Sequence, residues 1–168
     1  MRAKRSNLKF IEGFFTYHAR DCHSPSGLAM TFCKVFYGTN THPLVSEKLL
    51  DSGVYIAVFY LPKTQYVRTG KLGRFSLRQG VYFYVGSAQR NLSARLERHS
   101  KKKKPLRWHI DYLSVKAEML GVITISGHRK YECQLAEKLA RIFEIAVPGF
   151  GASDCRCGGH LFYAPELP

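Results

Sequence analysis

The sequence predicts an α/β fold of the α+β kind, a small antiparallel β-sheet flanked by helices. Two runs, 54–61 (VYIAVFYL) and 81–85 (VYFYV), are dense in β-branched and aromatic residues and read as strands. Two later stretches, 92–99 and 131–145, repeat apolar residues at helical spacing instead. At 168 residues, 45% hydrophobic and 13% aromatic, the chain suits one domain with an ordinary core rather than a disordered polymer.

Residues 1–50 form an N-terminal extension with no sustained period, expected to be poorly ordered, and residues 51–168 form the domain. Within the extension, 10–15 and 32–37 are short apolar runs, 38–43 (GTNTHP) is a loop by composition and 45–50 a short helical turn. His18, Cys22 and His23 cluster there, an arrangement that a surface histidine near a free thiol explains more simply than a metal site does. Asp51-Ser52-Gly53 leads into the first long strand, which Pro62-Lys63-Thr64 ends. Residues 65–69 and 73–77 are two short strands around Gly70-Lys71-Leu72, and Gln79-Gly80 turns the chain into the strand that ends at Gly86.

The helix over 92–99 carries Leu92 and Leu96 on one face, with Arg95 and His99 four residues apart and so about one turn from each other. Lys101 to Lys104 with Pro105 break it. Residues 107–113 (RWHIDYL) fit helix or strand equally. A strand over 121–125 and a turn at Gly127-His128-Arg129 precede the longest helix, 131–145, whose stripe is Leu135, Ala136, Leu139, Ala140, Ile142 and Phe143. Pro148-Gly149 ends that helix, and a tail rich in glycine and cysteine follows.

Charge narrows the class of partner. The formal net charge is +14, and between Arg68 and Arg107 twelve Lys or Arg face only Glu97. So one-sided an excess attracts polyanions, of which nucleic acid is the commonest. Backbone attraction of this kind does not distinguish DNA from RNA. No run of about 18 apolar residues and no secretory signal is present, so no membrane association is expected. Five cysteines without a secretory context favour reduced thiols or a metal site over a disulfide framework, and a cytoplasmic, nucleoid-associated location.

Strand, glycine turn and basic helix together make a place for a phosphate: backbone N–H groups, Arg95, His99 and the phenols of Tyr55 and Tyr84. Gly86, Ser87, Arg90, Arg98 and the lysines Lys101, Lys102, Lys103 and Lys104 are the candidate nucleic-acid contacts around it. In the tail, Cys155, Cys157 and His160 offer three ligands of the kind zinc prefers, with a fourth from His109, Asp154 or outside the chain. The alternative there is a tight Gly-Ser-Asp turn with Ser153 or Asp154 at the edge of the cleft, which His109 and Asp111 could also line.

Gly53-Val54-Tyr55 and Tyr84-Val85-Gly86 resemble the two tripeptides that name the GIY-YIG nuclease superfamily. The helix Ser93-Ala94-Arg95-Leu96-Glu97-Arg98-His99 resembles that family's arginine helix, and Glu132 its metal-binding glutamate, with Glu137 as competitor. The tripeptides lie further apart than in most members. That insert and the tail GFGASDCRC…HLFY resemble an uncharacterised branch, whose members occur alone or joined to endonuclease III-type glycosylases. The resemblance covers about residues 53–163.

It implies a metal-dependent endonuclease hydrolysing DNA phosphodiester bonds, structure- or damage-directed in DNA repair, with a base-excision glycosylase as a partner. Tyr55, Tyr84, Arg95, His99 and Glu132 form the implied catalytic set, with Glu132 holding Mg²⁺ or Mn²⁺. Tyr84 is the implied general base, Tyr55 orients it or the water, and His99 relays a proton. The alternatives are a non-cleaving nucleic-acid-binding module and a zinc-stabilised interaction domain for a repair protein.

Overall fold

A computed structural model describes residues 33–37 (backbone only), 51–70 and 72–166. The helical turn expected at 45–50 and the cluster at His18, Cys22 and His23 lie outside the described residues. Among them are eight strands and three helices: β1 (Cys33–Tyr37), β2 (Gly53–Leu61), β3 (Gln65–Thr69), β4 (Gly73–Leu77), β5 (Gly80–Ala88), α1 (Leu92–Ser100), α2 (His109–Ser114), β6 (Glu118–Ile125), α3 (Lys130–Ala140), β7 (Glu144–Ile145) and β8 (Leu161–Ala164). The fold is α+β. Six strands form an antiparallel sheet in the order β1-β6-β2-β5-β8-β7, and β3 and β4 form a separate hairpin.

Helices lie on both faces of this sheet, which is why β2 reads as an almost unbroken apolar run rather than an alternating one. Tyr55, Ala57, Phe59 and Leu61 point to one face and pack with Leu92 and Leu96 of α1 and Ile110 and Leu113 of α2. Val54, Ile56 and Val58 point to the other, where Ala136, Leu135 and Leu139 of α3 cover them. The hairpin between the two tripeptides is a folded arm. It anchors Val67 and Leu77 in the first core and leaves Tyr66 almost fully exposed.

β1 adds to the sheet along β6, from Cys33 opposite Ile125 to Tyr37 opposite Gly121, inside the stretch read as an extension. Residues 107–113, ambiguous in sequence, contain the short helix α2. The helix expected over 131–145 is shorter: α3 ends at Ala140, so Pro148-Gly149 does not terminate it. The chain makes one more loose turn, in which Ile142 and Phe143 donate to the carbonyl of Leu139, and then Glu144 and Ile145 pair with Tyr163 and Phe162 of β8. That turn keeps Phe143 on the apolar stripe, stacked on Phe83. Ala140 and Ile142 leave the stripe for the surface.

Candidate active site

The two tripeptides sit side by side, with Tyr55 opposite Gly86 and Ala57 opposite Tyr84. Their glycines serve packing. A Cβ on Gly53 would come 2.5 Å from the Ile125 carbonyl oxygen, and one on Gly86 would come 2.5 Å from the Tyr55 ring and hydroxyl. Gly86 thus makes room for a phenol that is 1% exposed and whose hydroxyl is hydrogen-bonded to His99 Nε2 at 2.7 Å. Held at both ends, Tyr55 cannot swing away. Gly86→Ala is therefore expected to lower the unfolding free energy by about 1–3 kcal/mol, an overpacking cost. Urea denaturation measures it, and a loss below about 0.5 kcal/mol would show that the ring yields.

Arg95 and Glu132 approach Ser87, the next-to-last residue of β5, from opposite faces. Arg95, on α1, donates from Nη1 to the Ser87 carbonyl at 3.0 Å, and its guanidinium lies over the Trp108 ring at 4.8 Å. Glu132, in the first turn of α3, accepts from the Ser87 hydroxyl on Oε2 at 2.5 Å and lies 2.9 Å from His160 Nδ1 through Oε1. Although α1 and α3 cover different faces, both side chains reach Ser87 near the end of β5, Arg95 its carbonyl and Glu132 its hydroxyl. Burial works to raise the Glu132 carboxyl, but His160 and Ser87 outweigh it and hold the group below the usual carboxylate range. It is ionised at neutral pH.

Tyr84 completes this corner. Its ring is 6.3 Å from that of Tyr55 and edge-on to His99 at 6.0 Å. Burial first and the Glu132 carboxylate second push its phenol above the ordinary value, while Arg95 pulls it down. Tyr55 is raised well above that value too, by burial and then by Tyr84. Burial and nearby Lys104 depress the His99 imidazole to about 3, so the ring is neutral at working pH. Its Nε2 is hydrogen-bonded to the Tyr55 hydroxyl.

Several candidate nucleic-acid contacts are committed elsewhere. Ser87 holds Glu132. Arg98 donates to the Pro105 carbonyl and to Asp111, and its guanidinium also lies over the Trp108 ring, at 4.9 Å. Lys104 turns inward onto the Arg98 carbonyl and the Ser114 hydroxyl, and the Lys102 ammonium is tied to the carbonyls of Ser114 and Ala117. Arg90, Lys101, Lys102 and Lys103 remain on the surface, Lys101 paired with Glu97 at 2.8 Å. Asp111 lines no cleft; it is fully buried as the hub of this loop. Glu137 pairs with Arg141 on the solvent side of α3, away from the corner.

The tail ligands do come together, and their fourth partner is Cys133, next to Glu132. The ligand atoms of Cys133, Cys155, Cys157 and His160 all lie within 4.8 Å of one another, a cluster able to hold a metal ion such as zinc. The proposed fourth ligands are occupied: His109 Nδ1 accepts from the Gly151 N–H at 3.1 Å, and Asp154 pairs with Arg129. Burial and the two neighbouring thiols push Cys157 up to about 12. No spacing motif links Cys133 to residues more than twenty positions on. The only trace in sequence is a thiol beside the glutamate.

An antiparallel sheet with a Tyr–Tyr–Arg–Glu corner at the end of its central strands defines a GIY-YIG-like domain. The family model described as "Domain of unknown function DUF123" matches residues 54–168, and the chain belongs to that GIY-YIG-like family. No curated protein and no solved structure matches the chain. Among the described residues no helix is long and apolar enough to cross a membrane.

Proposed function

We propose that this domain is a metal-dependent endonuclease that hydrolyses DNA phosphodiester bonds, acting on damaged or structured DNA. The observation that carries the reading is that the Arg95 guanidinium and the Glu132 carboxylate both hydrogen-bond Ser87, one its carbonyl and the other its hydroxyl, and both act on the Tyr84 phenol. The donor set fits magnesium, which takes one or two carboxylates and keeps several waters. Glu132 is ionised, and each of its oxygens, after one hydrogen bond, retains acceptor capacity. When bound, the cation neutralises charge on the phosphate as a Lewis acid.

The chain's own residues do the rest. Arg95 spends one N–H on Ser87 and presents the others to a phosphate as a planar, charge-assisted clamp. Trp108, 41% exposed, carries the guanidinium groups of Arg95 and Arg98 over its ring and holds these two cations together. The hairpin arm sets Arg68 directly opposite Arg74, both exposed. Like charges so placed destabilise a hairpin, and a polyanion relieves that cost. Tyr84 accepts the proton of the attacking water, and the Tyr55–His99 hydrogen bond fixes the ring beside it. Members of this branch joined to endonuclease III-type glycosylases support abasic or nicked DNA from base excision as substrate, and such a glycosylase as partner.

A nicking assay on supercoiled plasmid with Mg²⁺ or Mn²⁺ tests the proposal. Wild type is expected to nick, Arg95→Ala to lose about 10²–10³ in rate, and both to bind the plasmid. A wild-type chain that binds without cutting in either metal leaves a binding module, and the hydrolytic reading is lost.

A further inference from the structure

The C-terminal loop between β7 and β8 contains no regular element, yet it closes against the first turn of α3 through polar and sulfur-bearing side chains. We infer that Cys133, Cys155, Cys157 and His160 hold a structural zinc ion, and that this ion, through His160, positions the Glu132 carboxylate. Three thiols and an imidazole are the donor set that selects zinc over magnesium or calcium, and four such ligands with no open position make a structural site.

Geometry agrees with the chemistry. At zinc–sulfur and zinc–nitrogen distances of about 2.3 and 2.0 Å, a tetrahedral sulfur–nitrogen pair lies about 3.5 Å apart and a sulfur–sulfur pair about 3.8 Å. Cys155 Sγ and His160 Nε2 are 3.5 Å apart. The other nitrogen, Nδ1, faces Glu132 Oε1 at 2.9 Å, and the ring is 1% exposed. A carboxylate accepting from Nδ1–H fixes the tautomer that leaves the Nε2 lone pair for a metal, as in carboxylate–histidine–zinc triads. Cys133 and Glu132 are adjacent on α3, so one turn of helix supplies both a ligand and the group that orients another. The three cysteines are free thiols, not a disulfide.

Zinc binding stands on these contacts alone. Its effect on cleavage rests on the function proposed above, because only there does the placement of Glu132 matter to catalysis. His160 would then be a positioning residue, acting through the carboxylate.

Metal analysis of the full chain, purified reduced with zinc supplied, tests this without nucleic acid. One zinc per chain is expected. Cys133→Ser and Cys157→Ser should each weaken binding at least tenfold, and Glu132→Ala by about 10–100-fold with all four ligands intact, read by chelator competition. Should the cysteine variants fail to fold, cobalt titration of metal-free wild type decides: thiolate-to-cobalt charge-transfer absorption at one equivalent is expected. A reduced chain that takes up neither metal, a disulfide among the three cysteines, or zinc retained equally by Cys133→Ser overturns the inference. Zinc present in a chain that never cuts DNA would remove the endonuclease reading and leave this one standing; cutting without zinc would do the reverse.

Discussion

Asp111→Ala is expected to lower the unfolding free energy by about 3–5 kcal/mol, the largest stability effect of any single substitution considered for this domain. The carboxylate is fully buried, and one oxygen accepts from Arg98 at 2.7 Å and from the N–H groups of Arg107 and Trp108 at 2.9 and 3.0 Å. The other lies 3.4 Å from the Lys104 ammonium, whose side chain is itself only 3% exposed, a charge contact rather than a hydrogen bond. Alanine would leave that cation without a counter-charge and two backbone donors unpaired at the start of α2, and the cost of stranding them exceeds anything the pair gains over water. Burial acts to raise the Asp111 carboxyl, but the two N–H groups and Arg98 prevail and hold it below its ordinary value. Its stabilisation is therefore present above the unfolded pKa, about 3.9, and lost as pH falls through the lower folded value. Urea melts from pH 2 to 7 check both points. The acid limb should shrink in Asp111→Asn, with the share that belongs to Glu132 remaining, and a loss under about 1 kcal/mol in the alanine variant would refute the hub.

That hub marks where reading from sequence stops. The limits of β3 and β4 were legible to the residue because turn glycines and alternating strand residues bound them. The four tripeptide and helix signatures implied, by their resemblance to the superfamily, which elements would lie near one another. Four consecutive lysines, by contrast, read as a solvated loop or a phosphate-binding patch. Lys104 is drawn inward to the Ser114 hydroxyl and a carboxylate seven residues on, and the ammonium of exposed Lys102 is tied to a carbonyl at the end of α2. Nothing local signals such a pull. The end of α3, at Ala140, is hidden from the sequence for a related reason. Leu139 and Phe143 keep a helical period, while Glu144 and Ile145 give their backbone groups to a strand some twenty residues downstream. Cys133 joined the cluster through the same kind of distant partnership, which also carries β8 back beside β5.

Tyr84→Phe is expected to cut the proposed cleavage rate by about 10²–10⁴, the range for removing a positioned base, without changing the fold. The phenol is packed on the core, and the ring contacts with Phe150 and His99 survive loss of one oxygen. The sharper readout is the pH profile. Burial, then Glu132, raise this phenol above its ordinary 10.0, and Arg95 only partly opposes them. A cation at Glu132 would cancel the second push and leave the first. Ionised Tyr84 is therefore scarce at neutral pH, less than about one part in a thousand for a phenol of pKa 10 or more. If the ionised form takes the water's proton, the wild-type rate climbs about tenfold per pH unit from 7 to 9, the increase stopping only above the folded pKa. Neutral His99, at about 3, adds no inflection in that window. Single-turnover cleavage across this range, wild type against Tyr84→Phe, separates the outcomes. A flat wild-type profile, or a phenylalanine variant that keeps the slope, would assign the proton to another acceptor and leave Tyr84 as packing beside Tyr55.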